Sequence, residues 1–579
     1  MIKYLCNSCK VECESSNCPI CSQRTAVKET AVFWCSHCEA PSFFEICNEC
    51  NCCCAYVGTD LRPVFPQERL LLEILLKKPF GLAESSVWNV GANHYLIDGV
   101  KKNVSFQDLR KNDANEVIGA LKKYAIENER YIEGFMQSKT IVNFVKINKP
   151  RLNFITGEAI SYICQKASGK EEDEMFVSFS GGKDSTVTSH LVMSALSDKN
   201  IIHIYGDTTL EYPTSGEYIS RFKKNYPHIP MLIAKNKDQD FNNLCEVIGP
   251  PARMLRWCCT VFKTGAITKK IDSTFKNKRS VLTFQGIRRS ESLARSKYDR
   301  ESNDSKIKKQ IAVSPIIDWL DFDVWLYILS NNLDFNEAYK QGFSRVGCWC
   351  CPNNSPWSEY LSSIYMNEEF LKFREILYKF AKKIGKPDWK NYIDDGGWKK
   401  RQGGNGLDIS KKSVVSFKPC ALEENTYNFE LTKPISSELY KFFKPFGILN
   451  YDMGRKVLNE VYVLSRINNM PILKLSGRDG TSLLKVSVVG ESPYFTNKKI
   501  VEMLIKNQIN KYQTCIGCTY CEAVCKYGAL KVHNTEKGNV SSDTIHYSID
   551  ETKCVGCLEC VKHFSGGCYI NKVLKIKKE

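Results

Sequence analysis

The clearest hydrophobic pattern lies in the middle of the chain, where short apolar runs alternate with longer amphipathic stretches. The runs are MFVSF from residue 175, IIHIYG from 201, MLIA from 231 and VLTFQG from 281. Short apolar runs separated by helical stretches are typical of buried parallel strands. Residues 156–400 are therefore predicted to form an α/β domain around a parallel, Rossmann-like sheet.

The preceding segment, residues 58–155, has a different pattern. QERLLLEILLKKP predicts an amphipathic helix, and the stretch from Asp113 to about Val145 is predicted to be mainly helical. HYLIDGVKKNVSF predicts a hairpin that turns at Asp98-Gly99. This α/β connecting segment carries no chemical motif, so its role stays open.

Two further segments follow the central domain. The run GGWKKRQGGNG at 396–406 predicts a flexible boundary because it is rich in glycine and polar residues. Residues 407–505 predict a small α+β domain, again without a chemical motif. A chain of 579 residues exceeds what a single core supports, so a multidomain protein is expected.

Cysteine usage changes the picture most. The chain has 28 cysteines, many of them in C-x-x-C pairs, which is metal-ligand spacing. The N-terminus enters such a pair at once, without a signal peptide, and no apolar run is long enough to cross a bilayer. We therefore expect a cytoplasmic protein with no membrane partner, in a reducing compartment where disulfides are disfavoured.

Residues 1–57 predict a double zinc ribbon, because two C-x-x-C pairs can complete one tetrahedral thiolate site. The economical assignment gives one zinc to Cys6, Cys9, Cys18 and Cys21, and a second to Cys35, Cys38, Cys47 and Cys50. Cys13 and Cys52–Cys54 are not used in this assignment, so which cysteines bind each metal stays open. A structural staple is the favoured interpretation, and a docking surface for RNA or protein is the alternative.

Residues 506–579 contain two further cysteine runs that resemble a bacterial two-cluster ferredoxin. Both begin C-x2-C-x2-C, but Lys526 replaces the usual proline and the last gap is stretched. In that family the fourth cysteine of each run ligates the other cluster. The resemblance implies one [4Fe–4S] cluster on Cys515, Cys518, Cys521 and Cys568, and a second on Cys525, Cys554, Cys557 and Cys560. Zinc, or clusters with only a structural role, is the alternative to an electron conduit.

The strand MFVSF runs directly into a glycine-rich turn and a helix, which is the arrangement that cradles phosphate. The glycines let backbone N–H groups approach anionic oxygens, and the helix dipole adds positive potential. The motif SGGKDS resembles the PP-loop of the ATP pyrophosphatase superfamily. The predicted nucleotide-binding residues of this loop are Ser180, Gly181, Gly182, Lys183, Asp184 and Ser185.

Three later segments indicate which family of this superfamily the chain resembles. IYGDTTLEYP puts Asp207 at a strand end, and GIRRSESLARS offers Arg288, Arg289 and Arg295 to an anionic group. SPIIDWLDFDVW predicts a helix with Asp321 as its N-cap. Together these segments resemble the phosphoadenosine phosphosulfate reductase family over residues 156–360. The resemblance implies binding of the nucleotide by Asp207 and Arg295, and catalytic roles for Lys183, Arg288 and Arg289.

A third group of cysteines lies inside this domain. RWCCT contains Cys258 and Cys259, and RVGCWCCP contains Cys348 and Cys351 with Cys350 between them. The set resembles that of assimilatory adenylyl-sulfate reductases, which implies that Cys258, Cys259, Cys348 and Cys351 hold a third [4Fe–4S] cluster. A zinc site from the same residues is the alternative. Cys350 is then an alternative ligand or a reactive thiol.

The net charge of +17 first suggests a nucleic-acid partner. Five tetrathiolate sites of about −2 each would reduce it to about +7, which is mild for this length. Nucleic acid is therefore a less favoured partner than an adenine nucleotide or sulfonucleotide.

Two functions fit the motifs. The first is an iron–sulfur oxidoreductase that reduces adenylyl sulfate or its 3′-phosphorylated form to sulfite, with electrons from its ferredoxin domain and from an unidentified donor. The second is an ATP-dependent sulfurtransferase that adenylylates and thiolates a tRNA, DNA or small molecule, with Mg²⁺ left open. The intact SGGKDS loop and the missing Glu-Cys-Gly-Leu-His stretch of the reductases favour the second, and Cys350 or Cys420 would have to replace the reductase nucleophile. The fused ferredoxin favours the first. A non-catalytic redox sensor is a third, less favoured hypothesis.

Overall fold

The structure is a computed structural model. It describes the whole chain except residues 1, 7–8, 10, 14–17, 23–24, 78–80, 92, 105–113, 128–133, 198, 304–306, 308, 413–414, 494, 496, 536–543, 565–566 and 576–579. Asp113, where the predicted helical stretch begins, and the last two residues of the predicted hairpin lie outside the described residues. Within the described part of the chain, the helices lack the length and apolarity that a bilayer span requires.

The cysteine-rich N-terminus forms two small antiparallel sheets of three strands each. The first has the order β2-β1-β3 and the second β5-β4-β6. Their strands are β1 (Ile2–Leu5), β2 (Glu12–Cys13), β3 (Ala26–Thr30), β4 (Val32–Cys35), β5 (Ala40–Ser42) and β6 (Ala55–Gly58).

The connecting segment forms a four-stranded antiparallel sheet, β10-β9-β8-β7, with helices packed beside it. The elements are β7 (Arg62–Pro63), α1 (Pro66–Leu75), β8 (Val87–Gly91), β9 (His94–Ile97), β10 (Val100–Asn103), α2 (Ala114–Glu127) and α3 (Lys139–Ile147). Asp98 and Gly99 both have positive φ, as a two-residue hairpin turn requires. The predicted hairpin and helices are therefore confirmed.

The central domain contains the predicted parallel sheet, with the order β13-β12-β11-β14-β16-β15 and only the short edge strand β15 antiparallel. The strands are β11 (Met175–Phe179), β12 (Ile202–Asp207), β13 (Met231–Lys235), β14 (Val281–Gln285), β15 (Glu301–Ser302) and β16 (Gln310–Val313). The helices are α4 (Lys149–Ala167), α5 (Lys183–Ala195), α6 (Pro213–Asn225), α7 (Phe241–Ile248), α8 (Gly265–Thr274) and α9 (Asp321–Ser330). A π-helical turn, Cys259–Thr264, precedes α8. The sheet predicted from the apolar runs is confirmed.

The glycine-rich run 396–406 is packed, so the prediction of a flexible boundary is wrong. The Arg401 guanidinium is buried and donates to the carbonyl oxygens of Ile248, Pro250 and Gly403. Gly404 lies against the backbone of Leu574 near the C-terminus. The helices around this run are α10 (Pro356–Tyr365), α11 (Asn367–Lys383), α12 (Trp389–Asp394) and α13 (Asp408–Lys411).

Residues 407–505 contain an antiparallel six-stranded sheet of order β17-β18-β22-β21-β20-β19. Its elements are β17 (Ser416–Pro419), β18 (Thr426–Glu430), α14 (Ser437–Lys441), β19 (Ile448–Asn450), β20 (Val461–Leu464), β21 (Pro471–Ser476) and β22 (Leu483–Val488). The C-terminal elements are α15 (Lys498–Thr514), α16 (Tyr520–Ala523), β23 (Leu530–Asn534), β24 (Ile545–Ile549), α17 (Glu559–Lys562) and α18 (Tyr569–Leu574).

Two helices cross boundaries that the sequence pattern suggests. Helix α4 spans residues 155–156, and helix α15 spans residues 505–506. Val486 of the antiparallel sheet, Ile509 of α15 and Tyr547 of β24 lie in one hydrophobic core. The C-terminal cysteine segment is therefore packed as one unit with the sheet before it.

Candidate functional site

The predicted phosphate loop lies at the carboxyl end of β11, a central strand of the parallel sheet. Gly181 has a φ of 71°, a conformation that favours glycine. The Ser185 hydroxyl accepts a hydrogen bond from Ser180 N at 3.2 Å and donates one to Gly182 O at 2.8 Å. These bonds close the loop over the N-terminus of α5, where backbone N–H groups favour an anion.

Two residues that the sequence interpretation missed hold this loop in place. A Cβ atom on Gly286 would lie 2.4 Å from the Asp184 carbonyl oxygen, so only glycine lets the end of β14 approach the loop this closely. The Tyr339 hydroxyl accepts a hydrogen bond from Lys183 N at 3.0 Å. The sequence signal for Gly286 is its position directly after a buried strand, whereas no local signal indicates Tyr339.

A buried cluster of four charges stands behind the loop. The Lys183 ammonium is 3.2 Å from carboxylate oxygens of both Asp184 and Asp321. The Arg288 guanidinium contacts the same two carboxylates, at 2.5 and 2.6 Å. Burial acts to raise the pKa of Asp184, but Arg288 and Lys183 outweigh it and bring that pKa to about 2. Both cations are thus held at the loop by ionised partners.

The N-cap prediction for Asp321 is wrong. The helix α9 begins at Asp321 itself, and the Asp321 side chain contacts Lys183 and Arg288. The N–H groups of Asp321 and Phe322 instead donate to the carboxylate of Asp60, each at 2.9 Å. Burial and the nearby Asp321 charge raise the pKa of Asp60 to about 7. The connecting segment therefore supplies a carboxylate to the back of the site.

The other predicted anion-binding residues have acidic or basic partners of their own. Arg289 pairs with Asp318 and donates to the Tyr298 carbonyl oxygen. Arg295 pairs with Glu291, four residues earlier. Asp207 lies at the end of β12 and pairs with Lys235 at 3.0 Å. Of the three predicted arginines, Arg288 is the one with a described contact to the loop.

The five cysteines of the RWCCT and RVGCWCCP motifs come together at the same end of the sheet. Cys348 Sγ is 3.5 Å from the Thr208 hydroxyl, just beyond β12, and the backbones of Cys348 and Glu211 form an isolated antiparallel bridge. Burial, then the charges of Glu211 and Cys259, raise the pKa of the Cys348 thiol to about 12. Cys258, Cys259, Cys348 and Cys350 share one hydrophobic cluster. Because β12 pairs directly with β11, this cysteine group lies beside the phosphate loop.

The donor set of Cys258, Cys259, Cys348 and Cys351 fits a sulfur-ligated metal centre, either an iron–sulfur cluster or zinc. That these four cysteines hold a metal centre, and which kind it is, stays a prediction. Cys350 lies deeper: burial and the neighbouring Cys348 and Cys245 thiols raise its pKa well above the usual range. The Cys350 thiol is therefore poorly suited to act as a nucleophile.

Each predicted ligand set of the C-terminal segment lines one cavity. The inner cavity is lined by Cys515, Cys518, Cys521 and Cys568. The outer cavity is lined by Cys525, Cys554, Cys557 and Cys560, with half-exposed Tyr527 and Val555 at its rim. The fourth cysteine of each run lies with the first three of the other, so four sulfur donors around each cavity fit a [4Fe–4S] cluster.

Residues 174–354 match the family model of the phosphoadenosine phosphosulfate reductase domain, and residues 514–563 match that of the 4Fe-4S dicluster domain. The chain carries a phosphoadenosine phosphosulfate reductase domain. The dicluster domain follows it toward the C-terminus of the same chain.

Curated relatives each match less than half of this chain. An uncharacterized protein of Methanocaldococcus jannaschii is 31% identical over 243 residues, which are 42% of this chain and 54% of that protein. A second from the same organism is 31% identical over 252 residues, 43% of this chain and 51% of that protein. The chain thus spans about half the length of these relatives. The adenosine 5′-phosphosulfate reductase of Neisseria meningitidis is 28% identical over 201 residues, 34% of this chain and 78% of that enzyme.

Solved structures that are similar to part of this chain include a phosphoadenylyl-sulfate reductase from Candida auris in a phosphate complex. It is 15% identical, has a TM-score of 0.25 and covers 33% of this chain and 95% of that chain. An FMN adenylyltransferase from Candida glabrata is 18% identical, with a TM-score of 0.27, and covers 34% of this chain and 62% of that chain.

The reductase domain and the dicluster domain are in direct contact near their cysteines. Gln239 of the reductase domain donates to the Ile516 carbonyl oxygen at 2.9 Å. Within the dicluster domain the Tyr569 and Tyr520 rings stack with centroids 5.5 Å apart, and both pack against the hydrophobic cluster that includes Cys258 of the reductase domain. Burial raises the pKa of Tyr569 to about 12, and the Cys518, Cys258 and Cys259 thiols act in the same direction. Tyr569 therefore lies within electrostatic range of both the inner cavity and the cysteines of the reductase domain.

The N-terminal cysteines form the two predicted tetrads. Within each tetrad the four sulfur atoms lie within 4.8 Å of one another, which suits a single metal ion such as zinc. Sulfur separations include 3.6 Å for Cys6 and Cys21, and 3.4 Å for Cys35 and Cys50. The second tetrad packs into the main core, where Asn148 accepts from Phe43 N and donates to Pro41 O. The first tetrad forms a small cluster of its own.

Proposed function

We propose that this chain is a sulfonucleotide reductase-type oxidoreductase. It binds adenylyl sulfate, or its 3′-phosphorylated form, at the loop Ser180–Ser185 and releases sulfite. The electrons come through its dicluster domain from a donor outside the chain. The observation that carries this proposal is the contact between the two domains, in which Cys518 and Cys258 share one hydrophobic cluster and Tyr569 and Cys259 pack against it.

The loop residues have distinct roles in this proposal. Gly181 and Gly182 let the backbone approach the nucleotide phosphate, and the N-terminus of α5 offers N–H donors. Lys183 and Arg288 carry the positive charge, which the carboxylates of Asp184 and Asp321 hold in place before substrate binds. Asp207, Arg289 and Arg295 stay predicted contacts to the nucleotide or the sulfate group, and Mg²⁺ stays a hypothesis.

The proposed reaction breaks the bond between sulfur and the phosphate oxygen. Two electrons convert sulfur from the +6 to the +4 state, and sulfite is released. The oxygen leaves with AMP, or with adenosine 3′,5′-bisphosphate when the substrate is the 3′-phosphorylated form. Iron–sulfur clusters, when bound by the inner, outer and reductase-domain cysteines, supply one-electron steps that sum to this two-electron change. The residues of this chain bind the anion, orient it toward the cysteine group and neutralise the charge of the leaving nucleotide.

An ATP-dependent sulfurtransferase is the second candidate. Two observations favour it: the intact phosphate loop suits release of pyrophosphate, and Cys350 is too deeply buried for a covalent sulfur intermediate. In this case ATP would adenylylate an oxygen of a tRNA, DNA or small-molecule acceptor, and sulfur would replace that oxygen.

One assay distinguishes the two candidates. Protein that has been reconstituted with iron and sulfide without oxygen receives adenylyl sulfate or its 3′-phosphate in one reaction and ATP in another, each with a chemical reductant. We expect sulfite from the sulfonucleotide. Pyrophosphate from ATP, with no sulfite from either sulfonucleotide, would contradict the reductase proposal and support the transferase.

The role of the loop is tested by Lys183→Ala. Loss of the ammonium should lower kcat/KM by about 100-fold or more, because it removes charge stabilisation inside a buried site. Lys224→Ala, an exposed lysine on α6, is the matched control and should keep full activity. Equal activity of Lys183→Ala and wild type would refute the assignment of this loop as the nucleotide site.

A further inference from the structure

Lys511 is a buried lysine that the proposed reaction does not use. It lies in the last turn of α15, directly before the first cysteine of the dicluster domain, and is only 1% exposed. Its side chain lines the inner cavity together with Cys515, Cys518 and Cys521. Its ammonium donates to the carbonyl oxygen of Cys560, an outer-cavity residue, at 2.5 Å. The charge therefore lies between the two cavities.

The electrostatic effect of Lys511 reaches both sets of cysteines. Burial raises the pKa values of the Cys515 and Cys521 thiols at the inner cavity, and the Lys511 charge opposes that rise. The same opposition acts on Cys560 at the outer cavity. The ammonium also stands 5.5 Å from the ring centroid of Tyr547, whose hydroxyl is 4.0 Å from Cys560 Sγ.

Lys511 has no carboxylate to balance its charge within the described part of the chain. Its polar partner is a backbone carbonyl, and its other close neighbour is the face of an aromatic ring. Burying an ammonium without an anionic partner carries a large desolvation cost. The group that offsets this cost must carry negative charge and lie next to Lys511. The two cysteine-lined cavities meet both conditions, since a [4Fe–4S] cluster with four thiolates carries a charge of about −2 when oxidised.

We propose that Lys511 is the shared counter-cation of the two iron–sulfur clusters and raises the reduction potential of both. Each one-electron reduction adds a negative charge close to the same ammonium, which stabilises the reduced form more than the oxidised form. This inference depends on the dicluster domain and not on the substrate of the reductase domain.

The test compares neutral and charged replacements in the full chain. Lys511→Met keeps the length of the side chain and removes its charge, whereas Lys511→Arg keeps the charge. Lys499→Met is the control, because Lys499 is exposed near the start of the same helix. After reconstitution with iron and sulfide, each protein is titrated with dithionite without substrate. Electron paramagnetic resonance of the reduced clusters reports the two potentials, and iron content reports loading.

Both potentials should become more negative in Lys511→Met, while Lys511→Arg and Lys499→Met stay close to wild type. Unchanged potentials in a fully loaded Lys511→Met would overturn the proposal. If Lys511→Met does not retain iron, Lys511→Gln is titrated in its place. Loss of iron in both neutral variants, with retention in Lys511→Arg, would support the role of the charge. Loss of iron in all three variants would show that the shape of the lysine matters and its charge does not, and would overturn the proposal.

Discussion

Gly286 and Lys183 illustrate two ways in which one residue shapes the phosphate loop. Lys183 contributes a charge whose position depends on Asp184 and Asp321. Gly286 contributes the absence of a side chain, because the Asp184 carbonyl oxygen occupies the place where a Cβ would lie. The sequence motif shows the charge of Lys183 directly. The need for glycine at 286 follows from the close contact between the end of β14 and the backbone of Asp184.

Gly286→Ala should weaken nucleotide binding and destabilise the reductase domain. The new methyl group would force the backbone of Asp184 and Ser185 to move, at a cost of about 1–3 kcal/mol. Calorimetric titration with an adenine nucleotide and the thermal midpoint measure the two effects. Gly216→Ala on α6 is the control, since its Cβ meets nothing within 4 Å and alanine suits a helix better. Normal nucleotide affinity in Gly286→Ala would contradict the close contact.

At the scale of elements, the two cysteine tetrads differ in what they support. Both follow the same C-x-x-C logic, yet only the second is built into the core that also holds α3, α4 and the central sheet. Asn143 of α3 donates to the Cys38 carbonyl oxygen, and Lys146 and Lys139 pair with Glu49 and Glu39 around it. The packing supports a structural role for this second tetrad.

Loss of a ligand should therefore have unequal effects. Cys47→Ser in the second tetrad should remove one zinc and lower the thermal midpoint by about 5 °C or more, because helices α3 and α4 lose their support. Cys18→Ser in the first tetrad should also remove one zinc but lower the midpoint much less. Zinc content by mass spectrometry and scanning calorimetry measure both changes. Equal destabilisation by the two variants would show that the first tetrad supports the core as well.

At the scale of the whole molecule, contacts between distant segments join the domains. Asp60 reaches from the connecting segment to the first N–H groups of α9, behind Arg288. Arg151 of α4 pairs with the buried Asp323 of α9. On the other side, Gln239 holds the dicluster domain against the reductase domain. The reductase domain is thus joined to the connecting segment, which carries no recognisable catalytic motif, and to the dicluster domain.

Asp60 makes the stability of this assembly depend on pH. Its pKa is about 7 in the folded protein and about 4 in an unfolded chain. Because the folded pKa is the higher one, the stabilisation is present below pH 4 and is lost as the pH rises through 7. The Asn side chain of Asp60→Asn cannot ionise, so this variant should not lose stability as the pH rises. Between pH 5 and pH 8 its free energy of unfolding should therefore increase by about 1–3 kcal/mol relative to wild type, and its thermal midpoint by a few degrees.

The control for this measurement is Asp395→Asn, which replaces an exposed aspartate. Its midpoint should follow that of wild type at both pH values. A constant difference between Asp60→Asn and wild type across this range would mean that Asp60 is ionised throughout.

The sequence by itself determined the features that depend on neighbours along the chain. The parallel sheet follows from the apolar runs, and the phosphate loop from six consecutive residues. The metal-ligand groups follow from C-x-x-C spacing, since two residues in such a pair can reach the same metal whatever the rest of the fold. The fourth ligand of each ferredoxin-like set lies far along the chain, and its assignment came from the family resemblance.

Only the tertiary structure decided which side chains meet across long stretches of sequence. It selected Arg288 over Arg289 and Arg295 as the loop contact, brought Asp60 to α9, and placed Lys511 between two cavities. The glycines of the run 396–406 predict a flexible segment. Arg401 in this run nevertheless binds the carbonyl oxygens of Ile248 and Pro250, which no local pattern could indicate. Such contacts depend on how whole elements pack, and packing is a property of the folded chain and not of any short segment.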